Sequence, residues 1–290
     1  MTTILTIGNF DGLHLGHREL ISTTIQLARS WDARAVAITF TPHPKQYFRQ
    51  TDHFFIYPEN IKEQILDSLG LDEVIYLPFG DICSLTPSEF FNDILMPLAP
   101  EAIVLGTNFT FGAHRAGNIE LLRRFCADQN VALHSLPMAL WQGEKVSSSR
   151  IRAAIQSGHV GDAAQMLAAP YTLYGVVEHG AARGRELGFP TANIHTPQQV
   201  MPKNGVYATH VQIDGAPQSL KAVTAITQTP TFGAVKTVVE SHILGFDADI
   251  YNRQLAVHFD RFIRDEMTFN SREELVAQMR RDLLACDSNL

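Results

Sequence analysis

Cysteine is scarce in this sequence of 290 residues, and its placement excludes two classes of protein. The three cysteines, Cys83, Cys126 and Cys286, are far apart, odd in number and without a CxxC pair. A small disulfide-stabilised fold needs paired cysteines, and a cysteine zinc site needs clustered ones. We therefore interpret them as plain thiols and expect neither a disulfide framework nor a zinc site.

Long apolar runs and basic clusters are also lacking. The N-terminus has no basic start followed by an apolar stretch, and nowhere do about eighteen apolar residues follow one another. The formal net charge is −7, and no stretch of Lys or Arg would track a nucleic acid backbone. We expect a cytoplasmic protein without a membrane or nucleic acid partner, and its oligomeric state stays open.

Short apolar runs alternate with amphipathic stretches in the first half of the chain. Apolar residues fall at helical spacing between the runs, as at Leu20, Ile21, Ile25 and Ala28. This order is typical of a parallel sheet covered by helices. A capping box with proline at the first helical position predicts another helix start at Thr86. The strand candidates are residues 4–7, 35–40, 74–77, 102–105 and 131–134.

From about Pro170 the pattern changes to β-rich segments broken by glycine and proline. This pattern predicts a small antiparallel barrel or sandwich. A capping box at residues 271–274 predicts one closing helix, with Leu275, Met279 and Leu283 on one face. The strand candidates are residues 171–177, 206–213, 238–244 and 255–262.

Length and composition favour two domains. Hydrophobic residues make up 45% of the chain and charged residues 18%, the balance of a globular protein with a substantial core. A length of 290 residues exceeds the usual size of one core. Because the helical pattern ends at Pro170, we place the two domains at residues 1–169 and 170–290.

Residues 8–17 directly follow the first predicted strand and lead into a helix. Glycines let the backbone approach a ligand there, and His14 and His17 flank Gly16 at the helix start, where N–H groups and the helix dipole favour phosphate. A plain strand-to-helix turn would explain one histidine, but not two with glycines and an asparagine. The residues expected to bind ATP here are Gly8, Asn9, Phe10, Asp11 and Gly16.

The HLGH stretch that ends at His17 resembles the signature of the nucleotidyltransferase superfamily, which transfers a nucleoside monophosphate from a triphosphate and releases pyrophosphate. Residues 146–152, VSSSRIR, resemble the SSTxxR motif of the same superfamily. The resemblance implies a Rossmann-like doubly wound sheet, ATP contacts from Ser148 and Ser149, and neutralisation of leaving-group charge by Arg152. An N-cap is the simpler explanation for the preceding serine.

Such a transfer needs little acid–base chemistry, because the attacking phosphate is already ionised and negative charge crowds around the α-phosphorus. Cations and dipoles can stabilise this negative charge. We expect His14, His17 and Arg152 to clamp the triphosphate, together with Mg²⁺ carried by ATP.

Two further segments follow predicted strands, as ligand loops at the mouth of a parallel sheet should. Residues 39–44, TFTPHP, and residues 106–112, GTNFTFG, resemble segments of bacterial FAD synthetases, in which the second helps to bind FMN. The resemblance implies a flavin site, although core packing is the simpler explanation for one of its phenylalanines. Its residues are His43, Asn108, Phe109 and Phe111.

In the second half, residues 184–193, GRELGFPTAN, resemble the GRxxGFPTAN motif of riboflavin kinases. Gly188 and Pro190 shape a turn that the resemblance places at the nucleotide. Thr191 and Asn193 offer hard oxygen ligands suited to Mg²⁺ on ATP phosphates. A Gly-Pro turn alone would not explain this pair of residues. Because Thr191 and Asn193 are two positions apart on an extended segment, their side chains point to the same face.

Glu240 aligns with the catalytic carboxylate of the riboflavin kinases. The 5′-hydroxyl of riboflavin is a weakly acidic alcohol, so phosphoryl transfer benefits from a carboxylate that accepts its proton. A lone Glu in a strand is usually a solvated edge residue. We favour catalysis because the segments 229–233, 239–244, 247–251 and 262–269 match the family as a unit.

Together these matches cover nearly the whole chain in the order found in the bifunctional bacterial riboflavin kinase/FMN adenylyltransferase family. The resemblance implies a C-terminal β-barrel with a terminal helix. It also implies two reactions, in which riboflavin and ATP give FMN and ADP, and FMN and ATP give FAD and pyrophosphate. FMN and FAD would then be substrate and product rather than prosthetic groups.

Four positions at or behind the domain junction depart from that family's pattern, namely Ala169, Ala181, Thr227 and Asn252. They leave open an enzyme with FMN adenylyltransferase activity alone. A non-catalytic flavin or nucleotide sensor is a second rival, although the retained Glu240 argues against it. A pantetheine-phosphate or nicotinamide-mononucleotide transferase would leave the C-terminal half unexplained.

Overall fold

The computed structural model describes residues 2–49, 54–180, 187–196, 198–231 and 234–287. Contacts divide the chain into two compact units, and the division is not a single cut. The first unit comprises Met1–Phe54 and Glu59–Ser148, and the second comprises Phe55–Pro58 and Ser149–Leu290. The boundary after residue 169 stays a prediction, and the contacts group residues 149–169 with the second unit.

A five-stranded parallel sheet organises the first unit. The strands of this unit are β1 (Thr3–Ile7), β2 (Arg34–Thr41), β3 (Glu73–Pro78), β4 (Pro100–Gly106), β5 (Thr110–Phe111), β6 (Gly117–Asn118), β7 (Ala132–Leu136), β8 (Leu140–Trp141) and β9 (Glu144–Lys145). The sheet order is β3-β2-β1-β4-β7, and the short strands form two separate antiparallel pairs. The five strands predicted from the sequence are confirmed.

Helices cover both faces of this sheet, which confirms the predicted doubly wound fold. The helices are α1 (Leu15–Ser30), α2 (Pro44–Phe48), α3 (Glu59–Ser68), α4 (Phe79–Ile82), α5 (Pro87–Glu89) and α6 (Ile119–Asp128), with a π-helical segment at Phe90–Leu95 and 3₁₀ turns at Met96–Leu98 and Ala113–Arg115. The capping box at Thr86 is confirmed, since Thr86 Oγ1 accepts from Glu89 N at 3.2 Å and Glu89 Oε2 accepts from Thr86 N at 2.7 Å.

Alternate residues of the strands supply two separate apolar clusters, one on each face of the sheet. In β1, Leu5 and Ile7 belong to one cluster with Phe90 and Phe91, whereas Ile4 belongs to the other. Burial on both faces explains why the strand candidates read as short, nearly continuous apolar runs. It also leaves the ends of the strands as the places where polar side chains reach solvent.

The second unit is built around a closed antiparallel barrel in the order β10-β11-β14-β13-β12-β15. Its strands are β10 (Tyr171–Glu178), β11 (Ala192–His195), β12 (Gly205–Ile213), β13 (Leu220–Thr231), β14 (Ala234–Ile243) and β15 (Gln254–Arg264). Its helices are α7 (Ser148–Gln156), α8 (Val160–Leu167) and α9 (Arg272–Asp287). Helix α7 begins at the last residue of the first unit. Barrel and closing helix are confirmed. No helix in the described ranges is long and apolar enough to cross a membrane.

A short segment from the middle of the first half, Phe55–Pro58, belongs to this second unit. Gln199 is fully buried and donates through Nε2 to the carbonyls of Ile56 and Thr172, each at 3.0 Å. Its Oε1 accepts from Tyr174 N at 2.8 Å. One amide side chain therefore ties this segment to β10, a long-range contact that no local sequence pattern indicates.

Strand β13 has no counterpart among the strand candidates. Its inward residues include Ala222, Thr224 and Ile226, all fully buried, so small and hydroxyl side chains stand where an apolar run would have been expected. The hydroxyl of Thr224 is satisfied inside the barrel, because it lies 2.8 Å from Thr209 Oγ1 and 2.7 Å from Ser241 Oγ.

These three hydroxyls form a directed chain across β12, β13 and β14. Thr209 donates its only proton to the carbonyl of Ala222 at 3.0 Å, so it must accept from Thr224. Thr224 in turn must accept from Ser241. All three residues are fully buried, and each polar atom depends on the next for its hydrogen bond.

Helix α9 is held to the barrel by a bidentate ion pair. Arg264 Nε and Nη2 donate to the two carboxylate oxygens of Asp282 at 2.9 and 2.8 Å. Asp282 is buried, and Gln278 Nε2 adds a further donor at 2.8 Å. A fork-shaped pair of this kind fixes the orientation of the helix as well as its position.

The hydroxyl chain can be tested by Thr224→Val, which keeps the side-chain shape but removes the central acceptor and donor. We expect the barrel to lose about 1 to 3 kcal/mol of stability, because two buried hydroxyls are left without their partner. Native-state hydrogen exchange of the barrel amides measures this loss. Thr237→Val, at a partly exposed position of β14, is the matched control, and equal losses in the two variants would contradict the chain.

Candidate functional site

The loop between β1 and α1, residues 8–14, leaves the carboxyl edge of the first unit's sheet. Gly8 N donates to the carbonyl of Ile38 at 3.0 Å. Phe10 and Leu13 adopt left-handed backbone angles, with φ of 48° and 45°, and their side chains are fully buried. The side chain of Phe10 packs in the apolar core, and its predicted contact with ATP stays a prediction.

His14 and His17 are brought together at the start of α1. Their rings stack with centroids 3.7 Å apart and planes 15° from parallel, and Phe10 packs edge-on against His17 at 5.4 Å. The Nδ1 atoms of both histidines are buried and have no hydrogen-bond partner within the described part of the chain. Because buried polar atoms are normally bonded, two such orphans at one helix start indicate a ligand site.

Burial sets the charge of this pair. Desolvation lowers the pKa of His14 to about 4, and desolvation together with His14 holds the pKa of His17 well below its ordinary value. Both imidazoles are therefore neutral at pH 7, whereas the sequence predicts a cationic clamp. An anionic triphosphate beside them would favour protonation, so the charge would arrive with the ligand.

Arg18, in the first turn of α1, has a further buried polar atom, since its Nε lacks a hydrogen-bond partner among the described residues. The sequence interpretation stopped at His17 and missed this arginine, although its place next to the HLGH stretch is visible in the sequence. Three residues at the start of α1, His14, His17 and Arg18, thus each have a buried nitrogen atom without a hydrogen-bond partner among the described residues.

The serine motif is split between the two units. Ser148 belongs to the first unit, and its hydroxyl donates to the carbonyl of Asp11 at 3.0 Å. This bond fixes the ligand loop, and the predicted contact of Ser148 with ATP stays a prediction. Ser149 and Arg152 lie in α7 within the second unit, and their roles at ATP stay sequence-based predictions.

The predicted flavin residues lie at the same edge of the sheet, after β2 and β4. His43 is buried and caps α2, where its Nδ1 accepts from Lys45 N at 3.1 Å. Asn108 follows β4, and its Oδ1 lies 2.9 Å from the place of a Cβ on Gly106, so this glycine must lack a side chain. Phe111 is a core residue, and the partly buried Phe109 stacks on it at 5.7 Å.

An aromatic cluster beside these loops escaped the sequence interpretation. Tyr47 and Phe48 in α2 are 46% and 68% exposed, and both pack edge-on against Phe79 of α4. The two helices follow β2 and β3, so the cluster lies at the carboxyl edge. The signal available in the sequence is the pair of aromatics that follows the TFTPHP stretch after two residues.

In the second unit, Asn193 and Glu240 are direct neighbours across β11 and β14. Opposed residues of an antiparallel pair point to the same face, so the amide and the carboxylate lie side by side. Gly180 packs against Asn193, since a Cβ there would lie 2.1 Å from Asn193 Nδ2. His242 Nδ1 donates to the carbonyl of Pro190 at 2.8 Å, which holds the segment before Thr191 onto β14.

A cavity of about 260 Å³ is lined by Ala192 and Ser241, the sequence neighbours of Asn193 and Glu240, and not by that pair itself. Tyr251 lines it and stacks on His179 with centroids 3.8 Å apart. The hydroxyl chain of the barrel ends at Ser241 in its wall. The lining residues are Val177, Pro190, Thr191, Ala192, Ser241, Ile243, Phe246, Asp247, Ala248, Asp249, Ile250 and Tyr251.

Parts of the riboflavin kinase resemblance lie outside the described residues, namely Gly184, Arg185, Glu186, Phe232 and Gly233, as does Ala181. Among the departures that are described, Asn252 adopts φ of 60° and donates its N–H to the carbonyl of Val177 at 2.9 Å. Asparagine tolerates this left-handed conformation better than most residues, so it suits the turn at this position.

Comparison with known proteins finds a matching family for each half of the chain. The family model of FAD synthetase matches residues 1–150, and that of riboflavin kinase matches residues 167–290. The bifunctional riboflavin kinase/FMN adenylyltransferase of Escherichia coli (strain K12) is 33% identical over 285 residues, which cover 97% of this chain and 90% of the relative. This chain belongs to the bifunctional riboflavin kinase/FMN adenylyltransferase family.

Members from other bacteria agree. The bifunctional enzyme of Listeria monocytogenes is 31% identical over 96% of this chain and 90% of its own length, and that of Bacillus subtilis is 30% identical over 97% and 90%. A solved structure described as a macrolide-efflux protein from Streptococcus pneumoniae has 32% identity and a TM-score of 0.90, covering 98% of this chain and 93% of that one.

Membership of the riboflavin kinase/FMN adenylyltransferase family decides between the rival functions. Both family models match, so the chain is a bifunctional enzyme of flavin cofactor synthesis that uses ATP, riboflavin and FMN. A pantetheine-phosphate or nicotinamide-mononucleotide transferase would leave the riboflavin kinase match unexplained.

The neutral state of His14 predicts a pH dependence of stability. Unfolded His14 binds a proton near pH 6.5, whereas the folded side chain resists it down to about pH 4, so stability falls as the pH drops through this window. The contribution should be about 3 kcal/mol between pH 7 and 4. Chemical denaturation followed by the tryptophans Trp31 and Trp141 of the first unit measures it.

The variant His14→Gln serves as the control for this prediction, because it removes the titrating ring and keeps a polar side chain. Other groups contribute to acid destabilisation in both proteins, so the difference between them isolates His14. An equal loss of stability in the two proteins between pH 7 and 4 would contradict the lowered pKa.

Proposed function

We propose that two separate side-chain sets carry the two reactions, one at the carboxyl edge of the parallel sheet and one on the outer face of the barrel. The observation that supports the first is the stacked pair His14 and His17 with its orphaned Nδ1 atoms. The observation that supports the second is the pairing of Asn193 with Glu240. The two sets differ in chemistry, as the two reactions require.

Adenylyl transfer to FMN is the proposed reaction of the first set. The phosphate of FMN attacks the α-phosphorus of ATP, the bond to the β-phosphate bridge breaks, and pyrophosphate leaves. His14, His17 and the N-terminus of α1 stabilise the added negative charge. The imidazoles are desolvated and neutral before ATP binds, and the nearby anion raises their pKa so that they take up protons from solvent. Their positive charge then acts only when the charged ligand is bound.

The flavin ring of FMN is proposed to lie against the exposed aromatic side chains of α2, which pack on Phe79 of α4. Tyr47 and Phe48 offer flat apolar surface beside the loops that carry His43 and Asn108. A planar, amphipathic ring suits such a surface, and stacked or edge-on aromatic contacts add to the area buried. Asn108 supplies a polar contact at the end of β4.

Phosphorylation of riboflavin is the proposed reaction of the second set. Glu240 accepts the proton of the 5′-hydroxyl while that oxygen attacks the γ-phosphorus, and ADP leaves. The cavity beside Thr191 and Tyr251 takes the nucleotide. Gly188, with φ of 83°, and Pro190 set the turn that brings Thr191 to it.

Magnesium carried by ATP is proposed for both reactions. Among the described residues, no group of three or more His, Cys, Asp or Glu could hold a metal ion. The side-chain oxygens of Thr191 and Asn193 fit a hard cation that keeps most of its ligands from ATP and water. Bound there, the ion would neutralise phosphate charge.

We also propose where the protein acts and which small molecules it binds. The cytoplasm is where ATP is abundant, and it is the proposed site of both reactions. Riboflavin, FMN and ATP are the proposed partners, and the net charge of −7 gives no surface for a nucleic acid.

Exchange of single residues should separate the two reactions. In Glu240→Ala, FMN formation from riboflavin should fall at least about a hundredfold, because the proton acceptor is lost, while FAD still forms from supplied FMN. In His17→Ala, FAD formation should fall to a similar extent and FMN should accumulate. Chromatographic separation of the flavins over time, in riboflavin, ATP and Mg²⁺, measures both.

Exposed residues of the same type provide the controls. Glu273→Ala in α9 and His159→Ala at the start of α8 should leave both rates within about twofold of the parent. If each active-site variant impaired both steps equally, the assignment of the residues to separate reactions would be wrong. A parent protein that binds flavin without converting it would support the sensor instead.

The role of Asn193 can be tested through the metal dependence. Asn193→Ala should raise the Mg²⁺ concentration that half-saturates riboflavin phosphorylation by about tenfold and leave the requirement of FAD formation unchanged. The measurement is a Mg²⁺ titration of each half-reaction at saturating ATP. A shift of the same size in both half-reactions, or in neither, would exclude Asn193 from the kinase metal site.

A further inference from the structure

A partly buried arginine follows the histidine pair and has no role in the two reactions as described so far. Arg18 Nε is buried and lacks a hydrogen-bond partner among the described residues. None of the ion pairs within that part of the chain includes its guanidinium. Arg264 shows the usual arrangement, since its side chain is 19% exposed and forms a bidentate pair with Asp282. An unpaired arginine is therefore an exception that needs an explanation.

The position of Arg18 in α1 directs its side chain toward the ligand end of the helix. His14, His17 and Arg18 continue the buried face of α1 at helical spacing, so nitrogen-bearing side chains replace apolar ones near the carboxyl edge of the sheet. Helix side chains lean toward the N-terminus, so that of Arg18 lies over the turn that holds His14. The other buried residues of this face are Ile21, Thr24, Ile25 and Ala28.

The start of α1 is also favourable to an anion. His14 is the N-cap residue, but its side chain makes no capping hydrogen bond, and no acidic residue lies in the first turn. The first amide N–H groups of an α-helix have no partner within the helix, and the helix dipole favours negative charge there. His14 is only 7% exposed, and its Nδ1 is as unsatisfied as that of His17 among the described residues. Two imidazoles and one guanidinium therefore lie at this helix start with nitrogen atoms that lack an acceptor in the described part of the chain.

Of these three side chains, one is charged before a ligand binds. Burial lowers the pKa of both His14 and His17, so the two imidazoles are neutral at pH 7. Arginine side chains stay protonated in proteins, and their fork of N–H donors matches phosphate oxygens. Neutral histidines do not attract an anion over a distance, whereas an unpaired guanidinium does. Arg18 thus has the charge and the donor geometry for the first contact with a phosphate.

We propose that Arg18 binds the phosphate chain of ATP during adenylyl transfer and supplies the permanent positive charge of this site. The histidines then act at the α-phosphorus, once the chain is held beside them. The unpaired guanidinium carries this assignment, because an arginine that served stability alone would have an acceptor, as Arg264 does. This inference rests on the proposed histidine site.

The test compares Arg18→Met and Arg18→Lys with the parent in the full chain. The readouts are kcat and KM of FAD formation for ATP and for FMN, inhibition by inorganic pyrophosphate, and the rate of FMN formation from riboflavin. Arg18→Met should raise KM for ATP at least about tenfold, because a charged hydrogen bond to phosphate is lost. Pyrophosphate, which keeps the phosphate chain without the adenosine, should inhibit at least about fivefold less strongly. KM for FMN and the rate of FMN formation should stay within about twofold of the parent.

Arg29→Met is the matched control, because it removes the same charge from the exposed last turn of the same helix. It should leave both KM values within about twofold of the parent. Arg18→Lys keeps the charge without the fork of donors, so its KM for ATP should lie between those of Arg18→Met and the parent. Equal KM values for ATP in Arg18→Lys and Arg18→Met would contradict a role for the charge.

Stability separates an arginine that binds a ligand from one that holds the fold together. Arg18 has no ion-pair partner to lose among the described residues, so Arg18→Met should unfold without ligand at the parent's temperature or above it. Pyrophosphate should raise the unfolding temperature of the parent more than that of Arg18→Met. Both tryptophans, Trp31 and Trp141, belong to the first unit, so their fluorescence reports the unfolding of that unit.

Four results in Arg18→Met would overturn the proposal: an unchanged KM for ATP, an equal or larger rise in KM for FMN, unchanged inhibition by pyrophosphate, or a lower unfolding temperature without ligand. A rise in KM for FMN alone would assign Arg18 to the phosphate of FMN instead. His17→Ala separates these results from a failure of the histidine site. If His17→Ala loses FAD formation while Arg18→Met keeps the parent's KM for ATP, only the role of Arg18 is wrong. If His17→Ala keeps FAD formation, the histidine site itself is misplaced.

Discussion

Burial of both faces of a parallel sheet is the constraint on which the first unit depends. Once helices cover the two faces, loops that carry polar side chains are confined to the strand ends, and parallel strands bring their carboxyl ends to one edge. The loops after β1, β2 and β4 carry His14, His43 and Asn108 to that edge.

Barrel closure has the corresponding effect in the second unit. Strands β11 and β14 are far apart in sequence, yet their pairing brings Asn193 opposite Glu240. The buried chain from Ser241 through Thr224 to Thr209 holds β14 from inside, one residue away from Glu240. A satisfied polar chain of this kind makes one strand register more favourable than its alternatives.

The two sites solve different electrostatic problems. At the sheet edge, two desolvated neutral histidines stack on each other, and a bound anion would favour their protonation. On the barrel, a carboxylate lies beside an amide, which suits the removal of a proton from an alcohol. The first arrangement responds to the charge of its ligand, whereas the second supplies a base.

The sequence by itself determined the parallel sheet, the barrel strands with apolar alternation, the helix start at Thr86 and the family, because these depend on local periodicity, capping chemistry and short motifs. It did not reveal β13, whose buried Thr224 reads as polar until its partners are known. Nor did it reveal the neutral histidines, the burial of Lys62, or the place of Phe55–Pro58 in the second unit. Those features depend on burial and on contacts between distant residues, and desolvation, which sets their charge and their cost, is a property of the packed structure alone.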